Sequence, residues 1–441
     1  MIATALAVLA AAAIHNQTSP NPKMKWWTEA RFGMFVHWDM SSLAGTEISW
    51  SRKGSKPLDI TGDPAGYVGD PVYDHLYERF NPTNFNANDW AKLAKEAGMK
   101  YVVFTAKHHG GFSMFHTNLS HYGIADTPFK RDILKELFQA CRKQGLRVGI
   151  YYSPRDWHQP DYGATDSAKY HAYLMGQLTE LLTNYGKIDI MWFDSFGKGD
   201  SISYWKADEM LALVHRLQPD IIVNNRAGYF GENVPSLKGD FDTPEQRVGE
   251  FQNNRPWESC MTVVKTPDGG GWSYRKDGQI RSLQECWQAL ASCAGGDGNL
   301  LLDVGPDSTG TIPADQTEVL RKLGELLKQN GQSIYNARGG PYQNGPWGAS
   351  TYRGNDVYLH LFPAMFMSGN EMILPPIDAK VLSANFLEGG EAHVSQDQSG
   401  LHIGHFDMTR PPVAVVVHLH LDRPAATLMQ NQTPIPVPPI N

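Results

Sequence analysis

The stretch Ile188-Asp189-Ile190-Met191-Trp192-Phe193-Asp194-Ser195 decides the fold. It is a short apolar run that ends on a carboxylate. Upstream, Ser167 to Tyr185 reads as a helix closed by Gly186. An apolar run of this length after a helix and its glycine stop reads as a buried strand of a parallel sheet. Parallel α/β folds carry their chemistry at the carboxyl ends of such strands. Asp194 stands at that end, where a catalytic carboxylate is expected. Taken alone, it also reads as a cap for the next turn.

The same helix-glycine-strand unit recurs on both sides. Asn86 reads as an N-cap for a helix over Ala87 to Ala97, which stops at Gly98 before Tyr101-Val102-Val103-Phe104-Thr105. A helix over Asp132 to Gln144 stops at Gly145 before Leu146 to Tyr152. Another, Lys206 to Leu217, precedes Asp220 to Asn225. Four such units in a row predict a mostly parallel sheet with right-handed crossovers. Gly33 to His37 and Asn299 to Val304 add two strands. The expected class is α/β, a (β/α)8-like (TIM-type) barrel. A doubly wound sheet is the alternative, but no glycine-rich phosphate loop follows the first strand.

The pattern changes near Gly339. Asp356 to Phe362 alternates weakly, and Val413 to Leu421 is strongly β-branched, with turn residues between such segments. This predicts a C-terminal antiparallel β-sandwich. The chain of 441 residues is long enough for both domains. The expected division is a leader over 1–20, a catalytic barrel over 21–338 and a sandwich over 339–441. The leader is read from the apolar run Met1 to Ile14, with small residues at Ala11, Ala12 and Ala13 but no basic start. It predicts a secreted or periplasmic protein. No other segment is apolar and long enough to span a membrane.

The net charge is -7 with no basic stripe, so nucleic acid is excluded as a partner. Aromatic residues are abundant, with 12 Trp and 18 Tyr, which suits either a sugar cleft or a large core. Cys141, Cys260, Cys286 and Cys293 fit no zinc pattern, and the last two fall on one helix face as core residues. No metal or other cofactor is expected. Adjacency is expected to send His108 and His109 in different directions.

Polar residues gather at the predicted strand ends. His37 ends the first strand, Lys107-His108-His109 follow the second, Asp194 ends the fourth and Asn224-Asn225-Arg226 end the fifth. Each has a structural explanation alone, but their convergence on one barrel mouth points to an active site. Glycoside hydrolysis needs a second carboxylate to serve as acid and base. Glu245 and Glu258, both expected in loops or short elements after the Asn225 strand, are the candidates.

These residues carry a resemblance. The chain resembles the α-L-fucosidases of glycoside hydrolase family 29. The matching stretches are Arg31 to Trp38, Glu47 to Arg52, Phe80-Asn81-Pro82 through Trp90, Thr105 to His109, Trp192-Phe193-Asp194, Thr243-Pro244-Glu245, Trp257 to Cys260, and Gly298 to Leu302 with Val304-Gly305-Pro306. They run in the family's order over roughly residues 25 to 330.

The resemblance implies a barrel followed by a β-sandwich, and a retaining double displacement. Asp194 matches the nucleophile. Glu245 matches the acid/base of many members and is the first choice; Glu258 matches one proposed in others. His37, Glu47, Trp50, His108, His109 and Arg226 are implied near the sugar, with Trp38 and Trp192 as walls for its methyl group. The implied partners are fucosylated oligosaccharides or glycoconjugates. Action on an α-L-galactoside, or fucose binding without catalysis, are the alternatives. Two residues depart from the family's common pattern: Asp39 stands where glycine is usual, and Gly110 where aspartate is usual. Linkage preference and oligomeric state are not legible.

Overall fold

The computed structural model describes residues 21–52, 70–164, 166–196, 206–230, 239–248, 251–252, 255–267, 269–362, 371–404 and 413–431. The leader expected over 1–20 lies outside them. Strands β1 (Phe32–Val36), β2 (Tyr101–Lys107), β3 (Arg147–Tyr152), β4 (Ile190–Phe193), β5 (Ile222–Val223), β6 (Glu258–Thr262) and β7 (Asn299–Val304) form one parallel sheet in the order β5-β4-β3-β2-β1-β7-β6.

The sheet closes on itself. The extended segment 240–246 lies between β5 and β6, with parallel bridges Asn224 to Phe241, Asp242 to Trp257 and Glu245 to Cys260. Asp240 N–H donates to Val223 O at 2.6 Å, and Glu258 N–H donates to Asp242 O at 2.8 Å. Gly239 permits the approach: its φ is +109°, and a Cβ there would lie 2.5 Å from Asn224 O. The result is an eight-membered parallel ring, the TIM-type architecture expected.

Helices α1 (Ala87–Glu96), α2 (Ile133–Lys143), α3 (Ala168–Asn184), α4 (Ala207–Leu217), α5 (Leu283–Gly295) and α6 (Ala314–Asn330) cover the ring. Their ends follow the local rules. Asn86 accepts from Asn88 N–H, Asp132 from Lys135 N–H, and Ser282 with Glu285 forms a capping box. The glycine stops Gly98, Gly145 and Gly186 all have positive φ. Among the described residues, no helix lies between β5 and β6.

Strand alternation sorts the core into two layers. Phe35, Tyr101, Val103, Tyr151, Ile190, Trp192, Ile222, Phe241, Cys260 and Leu301 point into the ring. Met34, Val36, Val102, Phe104, Ile150, Met191, Phe193, Leu300 and Leu302 pack outward against the helices. This parity fixes which polar residues enter the mouth: those two positions beyond an inward apolar residue.

Two antiparallel sheets follow, built from β8 (Arg338–Gly339), β9 (Gly348–Arg353), β10 (Asp356–Leu361), β11 (Glu371–Leu374), β12 (Val381–Phe386), β13 (His393–Asp397), β14 (Gly400–Gly404) and β15 (Val415–Leu421). Their orders are β8-β9-β10-β15-β12 and β11-β14-β13. Val357, Leu359, Val417 and Leu419 of one meet Leu374, Leu401 and Ile403 of the other. The opposite face of the larger sheet packs on the barrel, where Tyr358 and Val416 join the helix-facing core. All four cysteines are free and buried.

Candidate active site

The inward parity of β1, β4 and β7 continues past their apolar residues to His37, Asp194 and Asp303 at the carboxyl ends. Asp194 is buried, and both of its oxygens have partners. Tyr151 Oη donates to Oδ2 at 2.8 Å, and Arg226 Nη1 donates to Oδ1 at 3.2 Å. His109 Nε2 lies 3.5 Å from Oδ2. An aspartate so surrounded is fixed in orientation by side chains from neighbouring strands and is not a turn cap.

Arg226 organises the mouth. Its Nε donates to Thr243 Oγ1 at 2.8 Å and its Nη2 to Thr243 O at 2.8 Å. The Nη1 that contacts Asp194 also donates to Glu245 Oε2 at 2.8 Å. The guanidinium lies over Trp192, 4.8 Å from the ring centroid. Burial alone would lower its pKa, but the Glu245 and Asp194 carboxylates outweigh burial and raise it. The shared nitrogen caps the Asp194 Oδ1 to Glu245 Oε2 distance at about 6 Å, which admits the pair spacing of retaining glycosidases. The Glu245 side chain is 37 % exposed against 11 % for Asp194, so one carboxylate is open to solvent and the other enclosed.

Glu258 is elsewhere. It was expected in a loop or short element able to fold over the mouth; it is the first residue of barrel strand β6. Its inward parity therefore buries it a layer below the mouth, and it is fully buried. Tyr101 Oη donates to one oxygen and Trp192 Nε1 to the other, the latter at 3.3 Å. Burial pushes its carboxyl up to about 7, against the hydrogen bonds from Tyr101 and Trp192.

The histidines meet over Tyr151. The expectation that adjacency separates His108 and His109 does not hold. Strand β2 ends at Lys107, and the turn beyond it brings the two rings to 4.2 Å. His108 Nδ1 meets Ser49 Oγ at 2.7 Å, and His109 Nδ1 meets Ser153 Oγ at 2.6 Å. Each serine Oγ also accepts a backbone N–H, from Gly110 and Arg155 respectively. Burial lowers both histidine pKa values well below the usual range, reinforced by His109 and His37 at His108 and by Arg155 and Lys107 at His109. Both rings are neutral near pH 7. His37 differs, because its Nδ1 meets the Asp303 carboxylate at 2.7 Å. The Nδ1–H therefore points at Asp303, which leaves Nε2 as the ring nitrogen for the cleft.

His108, His109 and Asp194 bring one ligand atom each within 4.8 Å of one another. The Arg226 guanidinium already supplies a positive charge 3.2 Å from that aspartate. A divalent ion there would face cationic repulsion.

Glu47 is buried and accepts from Gly271 N–H and Arg275 Nη1, both at 3.0 Å. It ties down the loop that brings Trp272 to within 4.8 Å of the His37 ring. Trp50 lies 5.5 Å from His109 and 5.1 Å from Trp157. The aromatic rim is thus Trp50, Trp157 and Trp272. Trp38 does not belong to it: its parity is that of Val36, so it packs outward on Phe80, Phe85 and Trp90. Trp192 is the floor beneath Arg226. Tyr151, Ser153 and Asp303 were not singled out from sequence, although the two-residue step from Leu301 to Asp303 was readable.

A family model described as α-L-fucosidase matches residues 9–332. The chain belongs to the α-L-fucosidase family. It is 32% identical over 332 residues to the human plasma α-L-fucosidase, spanning 70% of this chain and 68% of that protein. The tissue α-L-fucosidase of Rattus norvegicus is 30% identical over 358 residues, covering 76% and 73% of the two chains. Among solved structures, α-L-fucosidase isoenzyme 1 from Paenibacillus thiaminolyticus superposes with a TM-score of 0.78 at 31% identity, covering 91% of this chain and 99% of that one. A trapped covalent intermediate of a Bacteroides thetaiotaomicron family 29 α-L-fucosidase with 2-fluoro-fucosyl fluoride gives 0.79 at 25% identity, covering 91% and 96%. The parallel barrel and antiparallel sandwich described above superpose on these solved structures over 91% of this chain. Among its described residues, no helix is long and apolar enough to cross a membrane.

Proposed function

We propose that this protein is a retaining exo-α-L-fucosidase with Asp194 as nucleophile and Glu245 as acid/base. The single observation that carries the assignment is the shared Arg226 Nη1, which keeps these two carboxylates, one enclosed and one open, within reach of one anomeric carbon. Glu258, sealed below Trp192, has no such reach. The covalent fucosyl intermediate of the Bacteroides relative, trapped with a glutamate-to-glutamine mutant, supports the same chemistry.

In the first step an Asp194 oxygen bonds to C1 as the C1–O bond to the aglycone breaks. Glu245 transfers its proton to the leaving oxygen. In the second step Glu245 takes a proton from water, the water oxygen bonds to C1, and the Asp194–C1 bond breaks to release fucose. His108 and His109 donate to sugar hydroxyls through Nε2, and His37 meets one at its own Nε2. Trp50 and Trp272 line the rim. The substrates are terminal α-L-fucosides of glycans.

The plasma relatives and the apolar start of the chain support export after removal of residues 1–20. The mature protein then comprises a barrel over 21–338 and a sandwich over 339–441.

The test is turnover of an aryl α-L-fucoside with azide added. Glu245→Ala should regain rate and release α-fucosyl azide, because the anion needs no base to activate it and displaces Asp194 with a second inversion at C1. Glu258→Ala should show no such rescue. Rescue of Glu258→Ala but not Glu245→Ala overturns the assignment.

A further inference from the structure

Asp39 and Gly110, the two departures from the family's common residues, fall on one buried cluster. Asp39 follows the outward Trp38 and turns back under the mouth, where it is almost fully buried. Its Oδ1 accepts Ser41 N–H at 2.7 Å and caps the short turn Met40–Leu43. Its Oδ2 has a different partner, Tyr73 Oη, which donates to it at 3.2 Å. With its hydrogen committed to Asp39, Tyr73 Oη has lone pairs to offer, and it accepts Ser49 N–H at 2.8 Å.

Ser49 is the strained member. Its φ is +57°, in the left-handed region that a serine adopts only at a cost. In that conformation its Oγ meets two groups: it accepts Gly110 N–H at 2.7 Å and lies 2.7 Å from His108 Nδ1. Gly110 has already taken an acceptor site. A second acceptor site remains, but among the described residues His108 Nδ1 is the acceptor within reach of the Ser49 hydroxyl hydrogen, so the hydrogen goes there and the imidazole proton is left on Nε2. A Cβ at position 110 would lie 2.9 Å from Ser49 Oγ and 3.5 Å from Tyr73 Cε1. Position 39 thus meets the Tyr73 hydroxyl and position 110 the Ser49 hydroxyl, at two points of one hydrogen-bonded chain.

We propose that Asp39 is a positioning residue for His108: through Tyr73 it holds Ser49 in its left-handed conformation, so that the serine hydroxyl fixes His108 as an Nε2–H donor. The inference rests on the reading of His108 as a sugar contact. It adds that this chain carries on strand-end residue 39 the carboxylate that orders the ring, and that glycine at 110 leaves room for the serine.

The test combines kinetics with imidazole nitrogen NMR on histidine-labelled enzyme, the His108 signals being assigned by their loss in His108→Ala. Asp39→Asn keeps the cap oxygen but turns a donor toward Tyr73 Oη. Tyr73→Phe removes the link without touching the cap. Each should shift His108 away from a pure Nε2–H tautomer and lower kcat/KM on aryl α-L-fucoside by about tenfold. In a His108→Ala background, neither should cause a further loss. The proposal is overturned if the His108 tautomer is unchanged in both Asp39→Asn and Tyr73→Phe, or if their kinetic losses persist without His108. A moved tautomer with unchanged kinetics upholds the relay and sinks the reading of His108 as a sugar contact.

Discussion

Asp194 and Glu245 accept hydrogen bonds from a single nitrogen, Arg226 Nη1, at 3.2 and 2.8 Å. Two carboxylates this close repel one another unless a cation or a proton intervenes. Arg226 is that cation, and its Nε and Nη2 both donate to Thr243, so its orientation is tied to the segment that carries Glu245. Spacing and charge of the pair are therefore set by one side chain.

Arg226→Met should lower kcat/KM by about 100-fold or more, on the scale of losing a preorganised charged donor. The loss should fall on kcat as well as on KM, which initial rates over a range of aryl fucoside concentrations separate. A loss in KM alone would mean that Arg226 serves only to bind substrate.

Tyr151→Phe removes the 2.8 Å hydrogen bond to Asp194 Oδ2 but keeps the ring that stacks on Trp192 and His108. Hydrogen bonds to charged groups contribute about 1.5–3 kcal/mol, so kcat/KM should fall by about 10- to 100-fold. The melting temperature should fall by only a few degrees, because the ring and its stacking remain. Comparison of kcat/KM with thermal unfolding separates a catalytic loss from a packing loss.

Glu258 has a folded pKa near 7 against an ordinary 4.5, caused by burial. Its contribution to stability is full below pH 4.5 and is lost as pH rises through 7, because the unfolded chain releases the proton first. Glu258→Gln stays neutral and keeps an acceptor for Tyr101. Its stability relative to wild type should therefore improve by about 2–3 kcal/mol between pH 5 and pH 8. Denaturant unfolding at the two pH values tests this. An unchanged difference would mean that Glu258 is ionised in the native state.

His108 and His109 have pKa values held well below 6.5 by burial. The unfolded chain takes up these protons first as pH falls, so native stability should decline below pH 6.5. His109→Gln should flatten that decline between pH 6.5 and pH 5 in thermal unfolding scans. A slope identical to wild type would contradict the depressed value at this ring.

Much of the barrel was legible because its signals are local. The glycine stops at 98, 145 and 186 mark the helix ends, and the apolar runs after them mark β2, β3 and β4. Asp194 was legible from the same run. The closure through 240–246 was not, because that segment is polar and its pairing is made by isolated bridges to Asn224, Trp257 and Cys260. Missing this closure also left Glu258 in a loop or short element able to fold over the mouth. Once β6 is a barrel strand, parity sends Glu258 down among Tyr101 and Trp192. Parity corrects Trp38 as well, since it is two residues past outward Val36. The serine partners of His108 and His109 lie 59 and 44 residues away, a distance over which sequence pattern says nothing.

The most direct test of the whole account is to inactivate the wild-type enzyme with 2-fluoro-fucosyl fluoride, digest it and locate the label by mass spectrometry. The account predicts one fucosyl group per chain, esterified to Asp194 in the peptide that contains Ile190–Phe193. A label on any other carboxylate, or enzyme that turns over fucosides yet never accumulates a label, would contradict it.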